Sequence, residues 1–128
     1  MQTKDFSGIR NNGPLPSPQE VTVPNDIGDL LADYIESIGS QLENLEGTAL
    51  AYEAGNNRQA NAAKVRRILH KIKGESGMVG IDEMSDFCHQ AEDAFEEFSE
   101  DKRPDMLLRF KDWACAAIQN MANQMKCN

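Results

Sequence analysis

No run of this sequence is apolar for more than a few residues, too short to span a membrane. The N-terminal MQTKDFSGIRNNGPLP also lacks the apolar stretch of a secretory signal. These two absences predict a cytoplasmic protein with no membrane role. Cysteine is sparse. The three thiols, Cys88, Cys115 and Cys127, are odd in number and fit no metal or redox spacing. In a reducing compartment they are expected to be buried or terminal thiols without chemistry. Aromatic residues make up only 6 %, and the net charge is −8. A chain so acidic and so poor in stacking side chains is not a general binder of nucleic acid or of anionic membranes. No Gly-rich nucleotide loop and no catalytic Asp/Asn set is present, so no autonomous kinase activity is expected.

What is present fits one domain of 128 residues with a sizeable core. Residues 1–24 hold four of the five prolines (Pro14, Pro16, Pro18, Pro24) and have no apolar period. They read as a flexible tail. Four stretches with helical period follow. The first runs from about Asn25 to Glu53, with Ile27, Leu30, Leu31, Tyr34, Ile35, Ile38, Leu42, Leu45 and Tyr52 on its apolar stripe. The second runs from about Arg58 to Val79, with Val65, Ile68, Leu69, Ile72 and Val79 inward, and Gly80 ends it. The third starts near Asp82 as N-cap, and the fourth at Pro104, a residue suited to a first helical turn. No strand pattern competes. The expected fold is all-α, an antiparallel up-down four-helix bundle over residues 25–128.

Charge is uneven. Lys64 to Lys73 holds five basic residues (Lys64, Arg66, Arg67, Lys71, Lys73) and no acid. A small positive site on an acidic body suits phosphate or an acidic partner; a solvated helix face would look the same. Helical phase separates the roles on this second helix. With Val65 at zero, the apolar residues fall within about 60° of it, and His70 lies near 140°. Gly77 lies beside His70 at about 120°, Gly74 at about 180° and Lys73 at about 80°. Each glycine costs a helix interior roughly 1 kcal/mol relative to alanine. Two of them near one histidine leave bare surface through which another active site could approach the imidazole. They would equally suit a fraying helix end. Lys73 can reach phosphoryl oxygens as a point charge.

The run His70-Lys71-Ile72-Lys73-Gly74-Glu75-Ser76-Gly77-Met78-Val79-Gly80 resembles the H-x-x-K-G-x-[SA]-x-x-x-G signature of histidine-phosphotransfer (HPt) domains. Phe87-Cys88-His89-Gln90-Ala91-Glu92-Asp93 resembles the H-x-x-E segment of the phosphotransfer domain of chemotaxis-type histidine kinases. The resemblance covers roughly residues 26–125. It implies that His70 accepts the phosphoryl group, that Glu92 hydrogen-bonds and orients its ring, and that Lys73 and His89 are its electrostatic neighbours. It also implies a phosphoryl carrier in a two-component phosphorelay, working with a histidine kinase catalytic domain and a response-regulator receiver. The partners would supply ATP and Mg²⁺; the chain would need no cofactor or metal of its own. Helical phase gives Arg66, Arg67, Lys73, Gly74, Gly77 and Met78 as docking candidates. Glu75, near 280°, falls on the flank away from His70. A metal set of Cys88, His89, Glu92 and His70 is disfavoured, because adjacent helix residues diverge by about 100°. The alternative function is an HPt-fold binding module that regulates a kinase or receiver without carrying phosphate. A monomer is expected. The initiating Met and a fourth helix that reaches the C-terminus favour a free-standing carrier over a kinase fragment.

Overall fold

The computed structural model describes residues 4–127, with side chains to residue 125. Four helices carry the fold: α1 (Leu30–Glu53), α2 (Arg58–Met78), α3 (Asp82–Glu97) and α4 (Arg103–Cys127). Each packs on the next, and α4 closes the ring against α1. Connections of four, three and five residues (54–57, 79–81, 98–102) leave no chain for a crossover, so neighbours run antiparallel. The all-α four-helix bundle expected from the sequence is what forms, and no described helix is long and apolar enough to cross a membrane.

Two glycines make the first two turns. Gly55 (φ +82°) and Gly80 (φ +81°) take the left-handed conformation just past α1 and α2. Around Gly80, Gly80 N donates to Gly77 O and Ile81 N to Ser76 O; around Gly55, Gly55 N donates to Tyr52 O and Asn56 N to Ala51 O. Both sets are Schellman motifs, which satisfy the last helical carbonyls and reverse the chain. Asn57 then opens α2, its side-chain oxygen accepting from Ala60 N.

The core is built from the expected stripes. Ile38, Leu42, Leu45, Val65, Leu69, Ile72, Met84, Phe87, Phe95, Leu107 and Phe110 are fully buried. Each such side chain contributes roughly 1.5–3 kcal/mol. Two bounds differ from expectation. The first helix starts at Leu30 rather than Asn25, since Gly28 sits at φ +58° and interrupts it; Leu30 is mostly exposed rather than inward. Ile81, not Asp82, is the N-cap of α3, and no side chain caps it.

The larger difference is at the N-terminus. Residues 4–24, expected as a flexible tail, lie across α3 and α4. Phe6 and Ile9 are buried in the core. Phe6 stacks on Phe87 (4.9 Å between ring centroids) and meets Trp113 edge-on at 5.2 Å. Four prolines remove N–H donors from this segment and leave it with a surplus of carbonyl oxygens. Helix α4 supplies the donors. Arg109 donates to Gly8 O and Gly13 O, Trp113 Nε1 to Pro16 O (2.7 Å) and Asn120 to Gln19 O. Glu83 ties both ends of the segment, pairing with Lys4 and accepting from Thr22 N. Burial pushes the Glu83 carboxyl up, yet these two partners hold it below the usual carboxylate range.

Phe6→Ala should therefore destabilise the protein by about 3 kcal/mol, the cost of emptying a buried phenyl site. Urea denaturation measures it; an unchanged midpoint would mean that the segment is a free tail.

Candidate functional site

Helix α2 buries a narrow stripe, Ala62, Val65, Leu69, Ile72 and Ser76, and turns its other faces outward. Ser76 is a polar member of that stripe, satisfied by the Tyr34 hydroxyl at 2.7 Å. Burial is the main cause that raises the Tyr34 phenol above its ordinary range, so it stays protonated. On the α1 side, Glu75 accepts from Ser37 (2.9 Å) and Gln41 (2.7 Å). It is thus held on the flank away from His70, as helical phase indicated.

His70 projects from the middle of α2 with its side chain 76 % exposed. Its Nδ1 lies 3.8 Å from Glu92 Oε2 on α3. Lys73 Nζ lies 2.6 Å from the other oxygen, Glu92 Oε1. The structure therefore brings His70, Lys73 and Glu92 together across the α2–α3 groove. It differs in detail from the expected arrangement, for 3.8 Å is too long for a hydrogen bond to the ring. A permanent cation on a flexible stem outcompetes a neutral imidazole for the carboxylate. Glu92 is first the partner of Lys73, and faces the ring second.

His89 is exposed on α3, and its Nε2 lies 3.7 Å from Asp93 on its own helix. Among the described residues it makes no ion pair or hydrogen bond with His70 or Glu92. Cys88, next to it, is wholly buried, and burial raises its thiol well above the ordinary range. It is an inert thiol facing the core, pointing away from His89. Cys115 is half-buried, and the Cys127 side chain lies outside the described residues.

The surface beside His70 is open. A methyl group placed on Gly74 would meet nothing within 4 Å, and one on Gly77 would touch only Ser85 Oγ at 3.7 Å. Packing inside the chain does not require either glycine. Met78, two turns on, is 89 % exposed. Arg67 is exposed as well. Arg66 is less free than expected. Its guanidinium grips Glu96 through Nε (2.6 Å) and Nη2 (3.0 Å) and lies over the Phe95 ring. That contact holds the Glu96 carboxyl below the usual range. Sequence reasoning missed this cross-helix pair, since nothing local links positions thirty residues apart.

An exposed imidazole with a lysine–carboxylate pair beside it and cleared helix surface around it can accept and release a group delivered by another protein. A comparison with known families agrees with such a role: the model of the Hpt domain matches residues 29–126. No curated protein and no solved structure matches the chain. With the match covering all four helices and leaving out the N-terminal segment, the chain belongs to the Hpt domain family, the histidine-phosphotransfer domains that work with kinases and receivers in phosphorelays.

Proposed function

We propose that His70 is the phosphoacceptor, and that the chain carries the phosphoryl group from a histidine kinase or a receiver aspartate to a response-regulator receiver. The observation that supports this most is the exposed His70 ring with Nδ1 turned towards Glu92. That leaves Nε2 as the nitrogen for attack. Its lone pair forms the N–P bond as the bond from phosphorus to the aspartyl or nucleotide oxygen breaks, and the leaving oxygen keeps that electron pair. The ring becomes cationic, with its proton on Nδ1. Glu92 closes on that proton and stabilises the charge, while Lys73 swings from Glu92 to the phosphoryl oxygens. The reverse steps return the group. Gly74 and Gly77 admit the partner's active site, and Arg67, Arg66 and Met78 border the docking surface.

The chain acts in this scheme as a cytoplasmic monomer without cofactor or metal of its own; receiver and kinase bring Mg²⁺ and ATP. The spacing of His89 and Glu92 from His70 supports a site of the chemotaxis-kinase type. In that arrangement His89 adds positive charge at the rim of the site when protonated.

Incubation with a phosphorylated receiver, or with a chemotaxis-type kinase and ATP, should leave acid-labile phosphate on the wild-type chain and none on His70→Gln. Label on the variant would remove His70 from its role. A wild-type chain that binds both partners but never labels would be a binding module instead. Glu92→Ala should slow transfer by roughly a hundredfold with the helical fold intact; rapid-quench kinetics decide this. Gly74→Ala should separate stability from function. It should raise unfolding free energy by about 0.5–1 kcal/mol, as Cβ meets no obstacle there, yet slow transfer to the receiver. Faster or unchanged transfer would show that the bare surface serves no partner.

A further inference from the structure

Towards the N-terminal end of α2 from His70, three arginines converge on one cavity of about 250 Å³. It lies between the end of α1 (Tyr52), the N-terminal part of α2 (Arg58, Arg66), the α3–α4 connection (Glu100) and the first residue of α4 (Arg103). Glu96 and Glu100 pair with two of these arginines, so the cluster stays net positive in a chain of net charge −8. Each guanidinium is fixed along one edge. Arg103 Nε donates to Phe95 O (2.6 Å) and Nη1 to the Tyr52 hydroxyl (3.0 Å). Arg58 Nε donates to Tyr52 O at 3.1 Å, and Arg66 grips Glu96. Aromatic faces support all three, Tyr52 under Arg58 and Phe95 under Arg66 and Arg103.

Their outer edges are open. Arg58 Nη2, Arg66 Nη1 and Arg103 Nη2 have no hydrogen-bond partner among the described residues. The first turn of α2 opens on the same cavity, adding the positive end of a 21-residue helix. The one carboxylate in the lining is Glu100, 63 % exposed and 3.4 Å from Arg58, a weak contact that an incoming anion can displace.

We propose that this cavity binds the phosphate group of a small molecule, with Arg58, Arg66 and Arg103 as its ligands. Several donors held from different elements suit a tetrahedral oxyanion with several acceptor oxygens. The aromatic and backbone anchors have already taken up the ordering cost of the long side chains. The cavity is smaller than sites for drug-sized ligands, which suits a phosphate with little attached to it. Arg66 lies one turn before His70, so an occupied cavity also lowers the positive charge next to the histidine. The site stands independently of what His70 does.

The test titrates the full chain with inorganic phosphate, and in a second arm with glycerol phosphate, at constant ionic strength and neutral pH. Backbone amide and arginine Nε–H signals are followed by NMR. Saturable shifts centred on Gln59, Ala62, Arg66 and Arg103 are expected. R58Q and R66Q should each weaken binding about tenfold, and E100Q should tighten it by removing the competing carboxylate. Tighter binding of glycerol phosphate would identify an ester as the ligand, and equal binding a free anion. Shifts that never saturate, that sodium chloride reproduces, or that R58Q and R66Q leave unchanged would overturn the proposal.

Discussion

The site depends on how little of α2 is committed to the core. Val65, Leu69 and Ile72, with Ala62 and Ser76 beside them, are the positions by which this helix is anchored. A wider apolar stripe would hold it more firmly but would draw His70 towards the interior. A narrower one would leave the imidazole without a fixed position. The rest of α2 is held by charge. Lys73, Arg66 and Arg58 face Glu92, Glu96 and Glu100 in turn, and the acids recur every four residues. Such exposed pairs contribute at most about 1 kcal/mol each. Their main effect is to set the field around His70, which stands between the Lys73 and Arg66 pairs.

This arrangement makes Glu92 a shared group. Its carboxylate pairs with Lys73 and faces the ring at longer range. In the proposed transfer, negative phosphoryl oxygens would give the lysine a better partner as the ring gains a positive charge. Both changes favour moving the carboxylate from one to the other. On that reading the lysine pair and the imidazole pair are two uses of one carboxylate, and the 3.8 Å between Nδ1 and Glu92 Oε2 is a distance that side-chain rotation can close.

Much of this was legible from residue order. Periodicity placed all four helices, because the apolar positions of α1 to α4 repeat at the spacing that one buried face demands. Helical phase put His70 outward and Glu75 on the far flank, which the exposed ring and the Ser37 and Gln41 contacts of Glu75 match. The grip of Arg66 on Glu96 was not legible, since it depends on the rotation of α3 against α2. Nor was the preference of Glu92 for Lys73, a matter of ångströms. The N-terminal segment was the largest miss. Its proline-rich stretch has no period, and its attachment runs through backbone carbonyls that any residue carries. Its scattered apolar residues were the signal there: Phe6 and Ile9 are buried, and Leu15, Val21 and Val23 pack against the core, yet their spacing follows no helical or strand period.

The seating of that segment also fixes what the single tryptophan can report. With Glu92 set at zero around α3, Glu83 falls about 180° away, and Gln90 and Glu97, which accept from Arg10 of the segment, about 140–160° away. The N-terminal strap and the histidine thus occupy opposite flanks of one helix. Trp113 touches Phe6 and Phe87 and donates to Pro16 O, all on the strap side. Its fluorescence is therefore a built-in gauge of whether the strap is seated, and it needs no added dye. Events at the imidazole should register there only if they travel through α3, so the emission of one residue can tell a local chemical change from a loosening of the fold.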